Sequence, residues 1–92
     1  METFFISASI TEPNKNLCQK GLCLKIIVYI KDVILTYNIS IHDFNKDVKG
    51  YVNSLSYIIN QKVRYNKKYV LNMLLNAIIE AIERYSTKRS ID

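Results

Sequence analysis

The richest source of chemistry in this sequence is residues 60–69 (NQKVRYNKKY), where cations alternate with tyrosines. Cations beside the free N–H groups at the start of a helix form a binding site for anions such as phosphate. Lysines there oppose the helix dipole, which suits a site that an anion completes. We therefore predict a nucleic-acid or anion site at Lys62, Arg64, Asn66, Lys67 and Lys68. A solvated polar loop is the alternative interpretation.

Residues for catalysis or metal binding are sparse. His42 is the only histidine, and the 8 acidic residues are scattered along the chain. No glycine-rich phosphate loop or nucleophile elbow is present. Cys18 and Cys23 form a C-x4-C pair, and with His42 they give fewer ligands than the four of a structural zinc site. The sequence predicts a protein that is not an enzyme, with no metal, no cofactor and no small-molecule substrate.

Charge and hydropathy restrict the partners and the location. A net charge of +5 favours an anionic partner, either nucleic acid or an acidic protein surface. The most apolar stretch, residues 22–37, is interrupted by charges and too short for a membrane span. No basic leader opens the chain. We expect one domain over residues 1–92, no membrane association, and a cytoplasmic location with both cysteines reduced.

Apolar residues that alternate with period two predict three strands, at residues 3–10, 22–30 and 33–41. A two-residue turn at Lys31 and Asp32 would pair Ile30 with Val33 and bring both apolar sets to one face. Lys-Asp is not a favoured pair for such a turn, so a wider loop is also open. The alternative for residues 22–32 is a helix, which their density of β-branched side chains disfavours.

Spacings of three and four then predict two helices, at residues 44–61 and 67–85, with a frayed tail over 86–92. Asp43 is the expected N-cap of the first helix and Asn66 that of the second. Gly50 lies inside the first helix and weakens it by about 1 kcal/mol relative to alanine. The second helix is apolar over most of its circumference, more than its own chain can cover.

The predicted fold is therefore α+β, with a short antiparallel sheet of three strands in β-β-β-α-α order and two C-terminal helices on one face. The outer sheet face and the second helix retain apolar side chains that suit an interface. The predicted interface residues are Ile27, Tyr29, Ile34, Leu71, Leu75 and Ile79. Since such a surface suits self-association, we expect a homodimer.

Residues 34–85 (ILTYNISIHDF…VRYNKKYVLNMLLNAIIEAIERY) resemble the ribbon-helix-helix DNA-binding proteins of the Arc and MetJ type. In that family a strand precedes two helices, two chains intertwine, and the paired strands enter the major groove. The resemblance implies base contacts by outward strand residues and phosphate contacts at the second helix. The outward strand residues are Thr36, Asn38 and Ser40. The residues implied for phosphate contacts, at the start of the second helix, are Asn66, Lys67 and Lys68. A helix over residues 22–32 would suit the family, whereas a hairpin would widen the sheet beyond a two-stranded ribbon.

Two functional hypotheses follow. The first is a nucleic-acid-binding regulator of a phage, virus or plasmid, because the frequent Ile, Lys, Asn and Tyr are encoded by AT-rich codons. The alternative is an inhibitor encoded by a mobile element, which binds a host defence protein as anti-CRISPR proteins do. Small size, absent catalytic groups and spare apolar faces favour the inhibitor. Either protein would act in the host cytoplasm.

Overall fold

The computed structural model describes residues 4–12 and 21–90, and within them three strands are followed by three helices. One antiparallel sheet has the order β1 (Phe4–Thr11), β2 (Cys23–Ile30) and β3 (Val33–Ser40). The helices are α1 (Ile41–Lys46), α2 (Val48–Val63) and α3 (Lys67–Ser90). The predicted α+β fold, with a three-stranded antiparallel sheet ahead of the helices, is confirmed.

The hairpin of β2 and β3 has the predicted register, with Ile30 opposite Val33. The turn is the two residues Lys31 and Asp32. Lys31 has a φ of 37°, the left-handed conformation that two-residue hairpin turns require and that glycine or asparagine usually supplies. The helix alternative for residues 22–32 is wrong, because branched side chains on β2 pack well on a pleated surface.

The core lies between one face of the sheet and the two long helices. Ile26 of β2, Ile59 of α2 and Leu74 of α3 are each 0% exposed. α3 packs against β1, and α2 packs against α3. Ala8 of β1 and Ala77 of α3 are both buried in this core. Among the described residues, no helix lies over the opposite face of the sheet.

Asp47 divides the single helix predicted over residues 44–61 into α1 and α2. Its backbone leaves the helical region (φ −152°, ψ 67°), and its side chain accepts a hydrogen bond from the Gly50 N–H at 3.0 Å. Asp43 is not the N-cap that the sequence predicted, because it lies in the first turn of α1, after the N-cap residue Ser40. Gly50 suits this cap, since a Cβ there would collide with the Asp47 carboxylate.

Replacing Asp47 with alanine should therefore lower the free energy of unfolding by about 1 kcal/mol, because α2 loses its side-chain cap. Asp47→Asn keeps an oxygen that can accept the same hydrogen bond and should cost much less. Urea unfolding followed by circular dichroism measures both variants. Asp43→Ala, which removes an exposed first-turn acid, is the control, with an expected loss of about 0.5 kcal/mol or less. An Asp47→Ala variant as stable as the wild type would contradict the capping role.

The C-terminal boundary differs from the prediction. α3 continues to Ser90, so residues 86–90 are helical and the predicted frayed tail is wrong over this range. Neither glycine nor proline occurs there to end the helix, and Lys and Arg are good helix formers. Residues 91–92 of that tail, Thr3 of the first predicted strand and residues 13–20 of the first loop lie outside the described residues.

Cys23 differs from the prediction as well. Its side chain is 0% exposed and disulfide-bonded, so the predicted reduced thiol is wrong for this residue. Cys18, the other cysteine of the sequence, lies outside the described residues. Disulfides are rare in reducing compartments, and the bond at Cys23 therefore counts against the reducing cytoplasm predicted from the sequence.

Candidate nucleic-acid interface

The face of the sheet that turns away from the helices, the outer face, carries four cross-strand rows of side chains. Strand register puts one residue from each strand into each row. Starting beside the β2–β3 turn, the rows are Phe5–Tyr29–Ile34, Ser7–Ile27–Thr36, Ser9–Lys25–Asn38 and Thr11–Cys23–Ser40. The outer face therefore changes from apolar to polar along the strands.

The first row, Phe5–Tyr29–Ile34, is exposed. The exposed fractions are 52% for Phe5, 43% for Tyr29 and 63% for Ile34. The rings of Phe5 and Tyr29 lie side by side, with centroids 6.2 Å apart and planes inclined by 36°. Tyr29 and Ile34 are among the predicted interface residues, with Ile27 half-buried in the next row. Phe5 was missed, because its place in this row depends on pairing between β1 and β2.

The polar rows contain the three strand positions that the sequence proposed for base contacts. Thr36 is exposed, and Asn38 and Ser40 are partly buried. Lys25, which sequence reasoning missed, stands opposite Asn38 and is the only charged residue in the three strands. The Oδ1 atom of Asn38 is buried and has no hydrogen-bond partner among the described residues. A buried acceptor without a partner costs about 1–3 kcal/mol and calls for a reason beyond packing.

The connection between α2 and α3 is ordered by two asparagines. Arg64 ends α2 in the left-handed conformation (φ 50°), and its N–H donates to the Asn60 carbonyl at 2.8 Å. The Asn60 side chain accepts from the Tyr65 N–H at 3.0 Å. Asn66 caps α3, accepting from the N–H groups of Lys68 at 2.9 Å and Tyr69 at 3.2 Å. The predicted N-cap at Asn66 is therefore present.

That cap changes the predicted anion site. The predicted site requires free N–H groups at the start of α3, but the Asn66 side chain accepts hydrogen bonds from two of them. What the segment offers an anion is instead its charge. Residues 62–68, the cationic segment, hold four exposed cations, and no acidic residue occurs anywhere in residues 48–79. The four are Lys62, Arg64, Lys67 and Lys68.

Aromatic contacts locate the cationic segment relative to the sheet. The ring of Phe4, on the inner face, contacts Tyr65 at 5.6 Å and Tyr69 at 6.1 Å between centroids. Phe4 precedes Phe5, whose side chain points to the outer face. The cationic segment and the first row therefore lie at the same end of the sheet. Asn38 stands two rows away, about 13 Å along the strands, so the structure does not bring it to the cationic segment.

α3 keeps a partly exposed apolar stripe, as its composition predicted. Leu71 and Leu75 are half-buried against the core, whereas Ile79 is 50% exposed and Ile82 is 46% exposed. These residues recur at spacings of four and three and share one side of the helix. Ile82 is the member that the predicted interface omitted.

No known family model matches this chain, and no curated protein or solved structure is significantly similar to it.

The remaining candidates for chemistry are weaker. His42 is exposed on α1, and the described residues contain no group of three or more His, Cys, Asp or Glu side chains that could hold a metal ion. A depression of about 490 Å³ lies where α1 meets α2, lined by Asp43, Lys46 and Asp47 among others. Burial raises the pKa of Tyr37, on the inner face of β3, above its usual value. Within the described part of the chain, no helix is long and apolar enough to cross a membrane.

Proposed function

We propose that this chain is a non-enzymatic nucleic-acid-binding protein, a regulator from a phage, virus or plasmid. The observation that carries the proposal is the outer face of the sheet, which no described helix covers. It combines two exposed aromatic rings, a lysine and a set of hydroxyl and amide side chains. Aromatic rings, cations and hydrogen-bonding groups are what proteins use to hold bases and phosphates.

Electrostatics supports the same ligand. Phosphate contacts by Lys and Arg provide most of the sequence-independent affinity of nucleic-acid-binding proteins. The cationic segment provides four such side chains, and Lys25 adds a fifth on the outer face. No acidic residue occurs within the three strands, and Asp32, in the turn beside the first row, is next to Lys31.

The resemblance to ribbon-helix-helix proteins supports nucleic-acid binding only at the level of the ligand. β3 pairs with β2 of the same chain, which makes the sheet three strands wide. The major groove admits a two-stranded ribbon, so insertion of this sheet into the groove is not the mode that we propose. We propose contact through the exposed first row of the outer face and the partly exposed polar side chains next to it, with the phosphates held at the cationic segment.

The salt dependence of binding tests the proposed function. We expect the full chain to bind a single strand or a duplex of mixed sequence, measured by fluorescence anisotropy. Engagement of about four phosphates predicts a slope of log affinity against log salt near −3.6 for a duplex and near −2.8 for a single strand. No binding at low salt, or an affinity that does not change with salt, would remove the proposal.

The second candidate is an inhibitor that docks on a host defence protein, and the exposed apolar side chains favour it. Ile34 at 63% and Ile79 at 50% exposed are available to a protein partner or to a second copy of the chain. Capture of one stoichiometric protein after nuclease treatment of a host lysate would favour the inhibitor. A solution mass of two chains that Ile79→Lys reduces to one would support the homodimer that the sequence predicts.

A further inference from the structure

We propose that the ligand of the outer face is single-stranded nucleic acid, with bases stacked on Phe5 and Tyr29. The inference rests on the proposed function and specifies its ligand. The two rings belong to neighbouring strands, stand in register and are each about half exposed. With centroids 6.2 Å apart and planes 36° from parallel, they present neighbouring aromatic surfaces at one end of the sheet.

Base stacking favours single strands over duplexes, because only bases outside a duplex have free faces. In a duplex each base face is already covered by the next base pair, so an aromatic side chain has no face to contact without unstacking it. In a single strand the faces are available, and proteins use exposed aromatic rings for them with little sequence preference. The width of the three-stranded sheet, which excludes it from the groove of a duplex, does not restrict a flexible single strand.

The side chains around the rings fit the rest of a nucleotide strand. Ser7 and Thr36 occupy the next row, and their hydroxyls can donate to or accept from base edges. Lys25 lies four residues before Tyr29 on β2, about 13 Å away, and can hold a phosphate beyond the stacked bases. At the same end of the sheet, on the side of its inner face, the cationic segment lies beside Phe4. It can hold the phosphates of a strand that continues past the first row around this end of the sheet.

Charge favours this occupant over a protein or a second copy. The three strands carry one positive charge and no negative charge, and the chain as a whole is at +5. A polyanion gains from such a face, whereas a second copy of it offers no complementary charge. Ile34, the third residue of the first row, distinguishes base stacking from general apolar contact. It is the most exposed residue of the row but has no aromatic ring.

The test compares three alanine variants of the full chain in the first row. We expect Phe5→Ala and Tyr29→Ala each to weaken binding of a single strand of about 12 nucleotides by about 5- to 150-fold. Ile34→Ala is the matched control and should change the affinity less than twofold, because it removes apolar surface without removing a stacking surface. A duplex of the same length should bind more weakly than the single strand. Thermal unfolding verifies that each variant is folded, as expected for exposed positions.

A spectroscopic variant reports stacking directly. The chain contains no tryptophan, so Phe5→Trp provides a single indole at the centre of the proposed site. Stacking of a base on the indole should quench its fluorescence in step with binding of a single strand. This variant should also retain the affinity that Phe5→Ala loses.

The outcomes distinguish this inference from the proposed function. Binding of duplex and single strand with equal affinity, unchanged by Phe5→Ala and Tyr29→Ala, would overturn base stacking and leave nucleic-acid binding intact. Equal losses in all three variants would indicate general apolar contact with the strand and would also overturn base stacking. If the wild type binds neither nucleic acid, the proposed function itself fails.

Discussion

Replacing Ile59 with alanine is expected to lower the free energy of unfolding by about 2–5 kcal/mol, the largest stability effect that we predict for one substitution here. Ile59 lies on α2 and is 0% exposed, within the core formed with the sheet and α3. Removal of three carbons from such a site loses burial of apolar surface and leaves a cavity that close-packed neighbours fill only in part. A domain of this size has a small stability margin, so the variant is expected to be partly unfolded at physiological temperature.

The preceding residue gives a matched control. Ile58 is 42% exposed, so Ile58→Ala removes the same atoms, from the same helix, without opening a cavity, and should cost about 0.5 kcal/mol or less. The same contrast occurs on α3, where Ile78 is 4% exposed and Ile79 is 50% exposed. Urea denaturation of the four variants measures the differences. If Ile58→Ala destabilised the protein as much as Ile59→Ala, the orientation of α2 would be wrong.

These isoleucine pairs also explain why much of the fold could be predicted from the sequence. Residue type alone does not show which of Ile58 and Ile59 is buried. Periodicity does, because a helix returns to the same face every three or four residues. In the hairpin, the alternation of β2 and β3 allows one register that places both apolar sets on the same face, and a slip by one residue would expose one set. The pairing of Ile30 with Val33 follows from that constraint.

The break at Asp47 could not be predicted in this way. Apolar residues such as Phe44 and Tyr51 recur at helical spacing on both sides of it, so the periodicity does not reveal the break. The break depends on a local hydrogen bond. The Asp47 carboxylate accepts from the Gly50 N–H and so caps the start of a new helix. Asp43 and Asp47 are both plausible caps by residue type, and only the three-dimensional path of the chain selects between them.

The candidate site was predicted in part, and for two physical reasons. Asn66 was correctly assigned as an N-cap, but the cap and an anion compete for the same N–H donors, so both could not be available at once. Phe5 was missed because its place on the outer face depends on pairing β1 with β2, across a loop whose length hides the register. Lys25 was missed although the hairpin places it opposite Asn38, because its charge was considered only as an interruption of the apolar stretch. Tyr29, Ile34 and Thr36 were identified because the hairpin is local.

Neutralising two cations of the cationic segment should have the largest effect on binding among changes in charge. The double variant Lys67→Gln and Lys68→Gln removes two exposed charges at the start of α3, in a region without acidic residues. If each lysine contacts one phosphate, the slope against salt becomes shallower by about 1.4 for a single strand. The affinity then falls by about 25-fold at roughly 0.1 M salt. Substitution by glutamine keeps good helix propensity, so α3 should remain folded.

A second double variant, Lys46→Gln with Lys49→Gln, makes the same change in net charge at a different place. These lysines flank the start of α2, which is separated from the cationic segment by the length of that helix, about 24 Å. Asp43 and Asp47 lie among them and already offset their charge, so a polyanion gains little there. The affinity and the slope should therefore change only slightly in this variant. If both double variants weakened binding equally, net charge alone would account for it, and the cationic segment would lose its role as a site.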